Sequence, residues 1–136
     1  MIEISGRYLG DLRVEVAHGP TGATIRTVAP VDNNGDGSTF SPSDLCASSL
    51  GACMTTIMGI VAARDQIDLT SLRFRVEKHM SQEGPRRIAR LPVEFHMPAG
   101  LSPDQRVKLE RAALTCPVHR SLSSDIDIPV HFVYPD

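Results

Sequence analysis

Nineteen consecutive residues, Leu45 to Ala63, carry no charged side chain, and any fold of this chain must keep that stretch largely out of water. The run opens at SPSD, where Ser41 can cap a helix, Pro42 suits its first position and Asp44 can return a hydrogen bond to the cap's backbone N–H. Leu45, Leu50, Ile57, Ile60 and Val61 are spread around the whole circumference of such a helix instead of along one stripe. A helix of this kind must be enclosed, by a sheet or by a second subunit. Its length also suits a membrane span. However, Ser48, Ser49, Thr55 and Thr56 dilute the stretch, and Arg64 and Asp65 close it with no aromatic belt. The expectation is therefore a buried helix of a soluble protein, with no membrane partner.

Around this helix the periodicity is that of strands. Met1 to Arg7, Leu12 to Ala17 and Ala23 to Thr27 read as antiparallel strands, separated by turn signals at Leu9 to Asp11 and His18 to Gly22. Leu72, Phe74 and Val76 alternate with Arg73, Arg75 and Glu77. Leu91, Val93 and Phe95 repeat the pattern beyond Gly84 and Pro85, so the two runs read as a long hairpin. SPDQ at Ser102 to Gln105 is a second capping box, opening a helix with Val107, Leu109, Ala112, Ala113 and Leu114 on its apolar side. Ile126, Ile128, Val130, Phe132 and Tyr134 alternate to the end as a last strand. Strands, helix, strands, helices and strand make an α+β domain, and 136 residues suit one domain, 1–136.

A net charge of −2, with two tyrosines, four phenylalanines and no tryptophan, supplies neither a basic field for phosphates nor a stacking surface, which argues against nucleic acid as a partner. The first residues, MIEISGRYLGD, hold no basic segment followed by an apolar run, so cytoplasmic residence is expected. The Asn, Asp and Gly loop from Asp32 to Gly37 lacks the closing glutamate of a calcium loop and reads as a surface connector.

The three cysteines are too few for a disulfide scaffold, so any bridge in a reducing compartment would be transient and catalytic. Cys53 lies about three turns inside the long helix, with no cation nearby in sequence to lower its pKa. Cys116 precedes Pro117, which fits the first position of a new helix and sets the thiol at its cap. A helix terminus favours an anion by about 0.3–1 kcal/mol, less than one pKa unit, so local sequence makes Cys116 the modestly activated thiol. Either cysteine also suits plain packing. Cys46, about 10 Å from Cys53 along the helix, is out of disulfide reach and reads as a packing residue. With Cys53 and His119, Cys116 would also sketch a zinc site, but the second paired motif of structural zinc domains is missing.

FSPSDLCASSLGACM, VEKHM, PRRI and TCPVHRSL together resemble the OsmC family, which includes the organic hydroperoxide resistance proteins. The likeness covers almost the whole chain; its most specific marks are a cysteine eleven residues after the helix-opening proline and a second in a CPV context, here Cys53 and Cys116. It implies an intertwined α+β homodimer whose long buried central helices are enclosed by antiparallel sheets. It further implies that Cys53 attacks an organic hydroperoxide, that Cys116 closes a disulfide with it, and that an external dithiol reductant reopens the bridge. No cofactor or metal is implied. The family's thiolate-pairing arginine comes from the N-terminal strands, where Arg7, Arg13 and Arg26 are candidates and Arg13, just after the Gly10 turn, is the choice. The hydroperoxide branch carries a glutamate directly after the proline. Here Ser43 stands there and the acid, Asp44, comes one position later, where it also serves the helix cap. That displacement motivates the alternative reading, an OsmC-like dimer that acts as a binding protein without peroxidase chemistry.

Overall fold

The computed structural model describes residues 1–135 in two compact units, Met1–Cys46 and 47–135. In the first unit, strands β1 (Ile4–Gly10), β2 (Arg13–His18) and β3 (Thr24–Val28) form an antiparallel sheet in that order. The first strand starts and ends later than its pattern suggests, because the reversal falls on Asp11 and Leu12, both with positive φ (52° and 61°). Two such residues make a tight hairpin turn whose twist matches the flanking strands. Leu12 N–H donates to Tyr8 Oη at 3.1 Å, which fixes the turn against its own strand.

The register sorts the sheet into two faces. Arg7 lies opposite Glu15, which lies opposite Arg26, and the two guanidiniums hold the Glu15 carboxyl below its usual range by hydrogen bonds. The other face carries Ile4, Tyr8, Val14, Val16 and Ile25; Tyr8 is 65% and Ile25 51% exposed. A 3₁₀ turn, Val31–Asn33, follows. There Gly35 donates to Pro30 O at 2.9 Å, and a Cβ on it would lie 1.5 Å from Ala29 O, so only glycine fits this close backbone crossing.

Helix α1 (Pro42–Arg64) begins in this unit and runs on through the second. It is long and apolar enough to cross a membrane by length and composition, and 33% of that apolar window is buried within the chain. The buried residues, Ala47, Leu50, Gly51, Met54, Met58 and Ala62, form one stripe at helical spacing. The enclosed helix expected from the sequence is thus covered on one side within a single chain, while Ile60 stays 47% exposed. Thr55 and Thr56 satisfy their hydroxyls on the carbonyls of Gly51 and Ala52, each at 2.8 Å, so polar side chains sit in this helix at little cost.

In the second unit, β4 (Arg73–Val76) pairs with β7 (Val93–His96), and β5 (His79–Met80) with β6 (Ile88–Arg90). The expected long hairpin is present, interrupted where Pro92 cannot donate and Glu77 N–H bonds to Pro92 O instead. The last strand, β8 (Val130–Val133), lies parallel to β7, so the sheets are not wholly antiparallel. A parallel neighbour requires a long crossover, supplied here by α2 (Pro103–Ala113) and α3 (Pro117–Ser121). β8 is shorter than its alternating pattern, and of Ile126, Asp127 and Ile128 only Asp127 makes a bridge, to Arg90.

The core of this unit joins Leu50, Met54, Met58 and Ala62 of α1 to Leu91, Val93 and Phe95 of the sheet region and to Leu109 and Ala113 of α2. Phe95 stacks on Phe132 at 5.3 Å and tilts against Phe74 at 6.3 Å. Gly51 makes room for the Phe74 ring, since a Cβ there would lie 2.3 Å from Phe74 Cε2.

Candidate functional site

Cys116 owes its position to the end of α2. Ser102 accepts from Gln105 N–H at 3.2 Å and Gln105 Oε1 accepts from Ser102 N–H at 2.8 Å, the capping box the sequence signalled. Leu109 and Ala113 then bury one side of the helix. Beyond the helix, Tyr134 Oη donates to Glu110 Oε1 at 2.6 Å, and Arg106 lies 4.2 Å over the Tyr134 ring. These contacts tie α2 to the chain just after β8. The chain turns at Leu114 and Thr115, and Cys116 becomes the N-cap of α3 with Pro117 at the first helical position, as expected.

Cys116 is 0% exposed and belongs to the buried core. Its Sγ accepts from His119 N–H at 3.2 Å. Cys53, half-buried on α1, packs against the same core and is close enough to act on the titration of the Cys116 thiol. The 63 positions between them in sequence are thus closed by the fold.

The electrostatics of Cys116 reverse the sequence expectation. The cap bond from His119 does favour the thiolate, but burial pushes the Cys116 thiol up, and the hydrogen bond to Cys53 and charge on Cys53 push it further in the same direction. The modest help of a short helix terminus loses to desolvation, which charges a buried anion far more. Cys116 is therefore a protonated, hydrogen-bonded thiol and not an activated one. Cys46 is half-buried and has no disulfide. Among the described residues no three His, Cys, Asp or Glu side chains converge as a metal-ligand set, so the arrangement lends no support to the zinc reading of Cys53, Cys116 and His119.

Arg13 and Asp44 lie in the first unit. Arg13 Nη2 bonds to Asp36 Oδ2 at 2.5 Å and to Ser38 Oγ at 3.3 Å, and Nη1 reaches Asp11 O at 3.4 Å. Hydrogen bonds from Ser38 and then from Arg13 bring the Asp36 carboxyl down to about 2. The sequence marks Asp36 only as part of a surface connector, and nothing in it pairs this residue with a strand residue 23 positions earlier. Asp44 Oδ2 accepts from Ser41 N–H at 2.9 Å while Asp44 N–H donates to Ser41 Oγ at 3.1 Å, the reciprocal pair of a capping box. Arg7 and Arg26, the other candidate cations, both pair with Glu15.

A family model described as OsmC-like protein matches residues 35–131. Among solved structures, the chain is similar to a candidate osmotic stress induced and detoxification response protein from Psychrobacter arcticus 273-4, with 38% identity, a TM-score of 0.91 and coverage of 98% of this chain and 96% of that one. It is also similar to the organic hydroperoxide resistance protein OsmC from Legionella pneumophila, at 18% identity and TM-score 0.75, over 97% of this chain and 96% of that one. A third similar structure is OhrB of Bacillus subtilis, an organic hydroperoxide resistance protein, at 15% identity and TM-score 0.71, over 98% of both chains. At such identities the last two speak for the fold alone. No match is found among curated proteins.

Proposed function

Because this chain belongs to the OsmC-like protein family, we propose that it is a cytoplasmic thiol peroxidase that reduces organic hydroperoxides through Cys53 and Cys116. The observation that supports this reading best is the pair of thiols the fold gathers at one core: a half-buried one that a substrate can approach, and a fully buried one whose titration the first shifts. Cys53, as thiolate, attacks the terminal oxygen of the hydroperoxide. The O–O bond breaks, the alkoxide takes a proton and leaves as the alcohol, and Cys53 is left as a sulfenic acid. Cys116 sulfur then attacks Cys53 sulfur. The hydroxyl of the sulfenic acid leaves with the Cys116 proton as water, and a disulfide remains. An external dithiol reopens it through a mixed disulfide.

Exposure and charge both favour this order of events over the reverse. A buried sulfur held protonated makes a poor first nucleophile, whereas as second partner it needs only the sulfur already beside it. Arg13 and Asp44 are assigned as the cation and the acid of the site on the family likeness alone, since the structure engages Arg13 with Asp36 and Asp44 with the helix cap. In this reading the two units form one OsmC-like domain. Two copies pair, covering the open side of α1 and the apolar sheet face of Tyr8 and Ile25.

The test is a single turnover of the reduced protein with cumene hydroperoxide. Wild type is expected to consume one equivalent and Cys53→Ser none; a Cys53→Ser variant as fast as wild type sinks the reading.

A further inference from the structure

Cys116 hangs from the end of α2 by a loosely specified turn. No glycine closes the helix in the left-handed region; the C-cap is Leu114, with φ −74°. The bonds that carry the chain on to the thiol are long, Leu114 N–H to Glu110 O at 3.4 Å and Cys116 N–H to Ala113 O at 3.3 Å, against about 2.9–3.0 Å for an ordinary one. At five residues, α3 is too short to hold the segment by itself. Leu109 and Ala113 press one side of α2 into the core, but apolar burial is non-directional and leaves the rotation and height of the helix to other contacts.

Tyr134 supplies them. It directly follows β8, which is fixed by its pairing with β7 and by the Phe132 ring stacked on Phe95. From that footing it grips two α2 residues one turn apart: its hydroxyl donates to Glu110 Oε1 at 2.6 Å, and the Arg106 guanidinium lies 4.2 Å over its ring. Arg106 Nε donates in turn to Leu101 O at 3.1 Å, just before the helix cap. Glu110, whose side chain Tyr134 holds, is also the residue whose carbonyl accepts the Leu114 N–H. Burial and the bond to Glu110 push the Tyr134 phenol well above its usual range, so the donor keeps its proton.

We propose that Tyr134 is a positioning residue for Cys116: by locking α2 it aligns the buried sulfur for attack on an oxidised Cys53. The inference rests on the peroxidase reading and assigns a residue outside the thiol pair to its second step. In that step the S–S bond forms, the S–O bond of the sulfenic acid breaks, and the hydroxyl leaves with the Cys116 proton as water. Such a displacement depends on alignment, and a misplacement of about 1 Å can cost about a hundredfold. Cys53 is carried by α1, whereas both of these Tyr134 contacts go to α2. Peroxide attack is therefore independent of the clamp, and disulfide closure depends on it.

The experiment mixes reduced wild type, Tyr134→Phe, Glu110→Leu and Glu110→Gln with one equivalent of cumene hydroperoxide and quenches over time. Alcohol release reports the first step. Peptide mass spectrometry of the Cys53–Cys116 bridge, with dimedone trapping of the Cys53 sulfenic acid, reports the second. Phenylalanine keeps the ring under Arg106 and removes only the hydroxyl; glutamine keeps an acceptor for it. Tyr134→Phe and Glu110→Leu should release alcohol at the wild-type rate yet close the disulfide about tenfold more slowly, with trapped sulfenic acid building up, while Glu110→Gln stays near wild type. The same lag is expected when diamide forms the bridge, which requires no peroxide chemistry. Closure at the wild-type rate in Tyr134→Phe under either oxidant overturns the inference, as does an equal slowing of both steps, the mark of a general loss of structure. If wild type releases no alcohol but the diamide lag is found, the clamp stands and the peroxidase reading falls.

Discussion

Cys116 and Asp36 show how surroundings decide what a titratable residue does. Cys116 is drawn toward the thiolate by a cap bond and away from it by burial, and burial prevails. Asp36, on an exposed loop, goes the other way. Ser38 and Arg13 hold it ionised, at about 2 against an ordinary value of 3.8. A carboxyl with a depressed folded pKa contributes stability that is present above the unfolded value and lost as pH falls through the folded one. Wild type should therefore be more stable than Asp36→Asn above pH 3.8, and the difference should vanish as the pH falls toward about 2. Urea melts of both proteins across this range check it; a constant difference would mean that the ion pair with Arg13 plays no part. The pairing of Asp36 with Arg13 leaves no local trace in the sequence. CPVH revealed the cap at Cys116, but the depth of burial that reverses its effect comes from residues distant in sequence.

At the scale of elements, the parts with local signals were readable and the parts set by long-range pairing were not. SPSD and SPDQ open α1 and α2 with the reciprocal hydrogen bonds their residues imply, and alternating side chains located β2, β4, β7 and β8. The parallel alignment of β8 on β7 leaves no periodic trace, because a strand buried on one face alternates in either direction. Gly51 is a similar case: it looks like a helix-weakening residue until Phe74 is seen beside it. Helix propensity alone favours Gly51→Ala by about 1 kcal/mol, whereas overpacking costs about 1–3 kcal/mol. The 2.3 Å approach of a new Cβ to the ring decides for the second effect. Denaturant unfolding should show Gly51→Ala destabilised by about 1–2 kcal/mol, and the sign should reverse when the substitution is made in a Phe74→Ala background. A loss of the same size in both backgrounds would show that the ring is not the obstacle.

For the whole molecule, α1 poses the main question. A helix apolar on all sides leaves much of its surface open in one chain, and exposed apolar area of this kind marks an interaction face. The proposed pairing of two copies would cover it with the same sequence. Ile60, 47% exposed, is the place to test it. In an isolated chain Ile60→Lys should change stability by no more than about 0.5 kcal/mol, whereas in a paired one it buries a charge. Light scattering coupled to gel filtration should find wild type as a dimer and Ile60→Lys as a folded monomer; a monomeric wild type would contradict the pairing.

The claim that unites these scales is that the fold closes the sequence gap between Cys53 and Cys116 so that they can exchange one disulfide. Peptide mapping of the reduced protein after one equivalent of cumene hydroperoxide, with no reductant present, tests it most directly. The account predicts a single cross-linked peptide pair joining Cys53 to Cys116, with Cys46 still a free thiol. A free Cys116 beside an over-oxidised Cys53, or a bridge that includes Cys46, would contradict it.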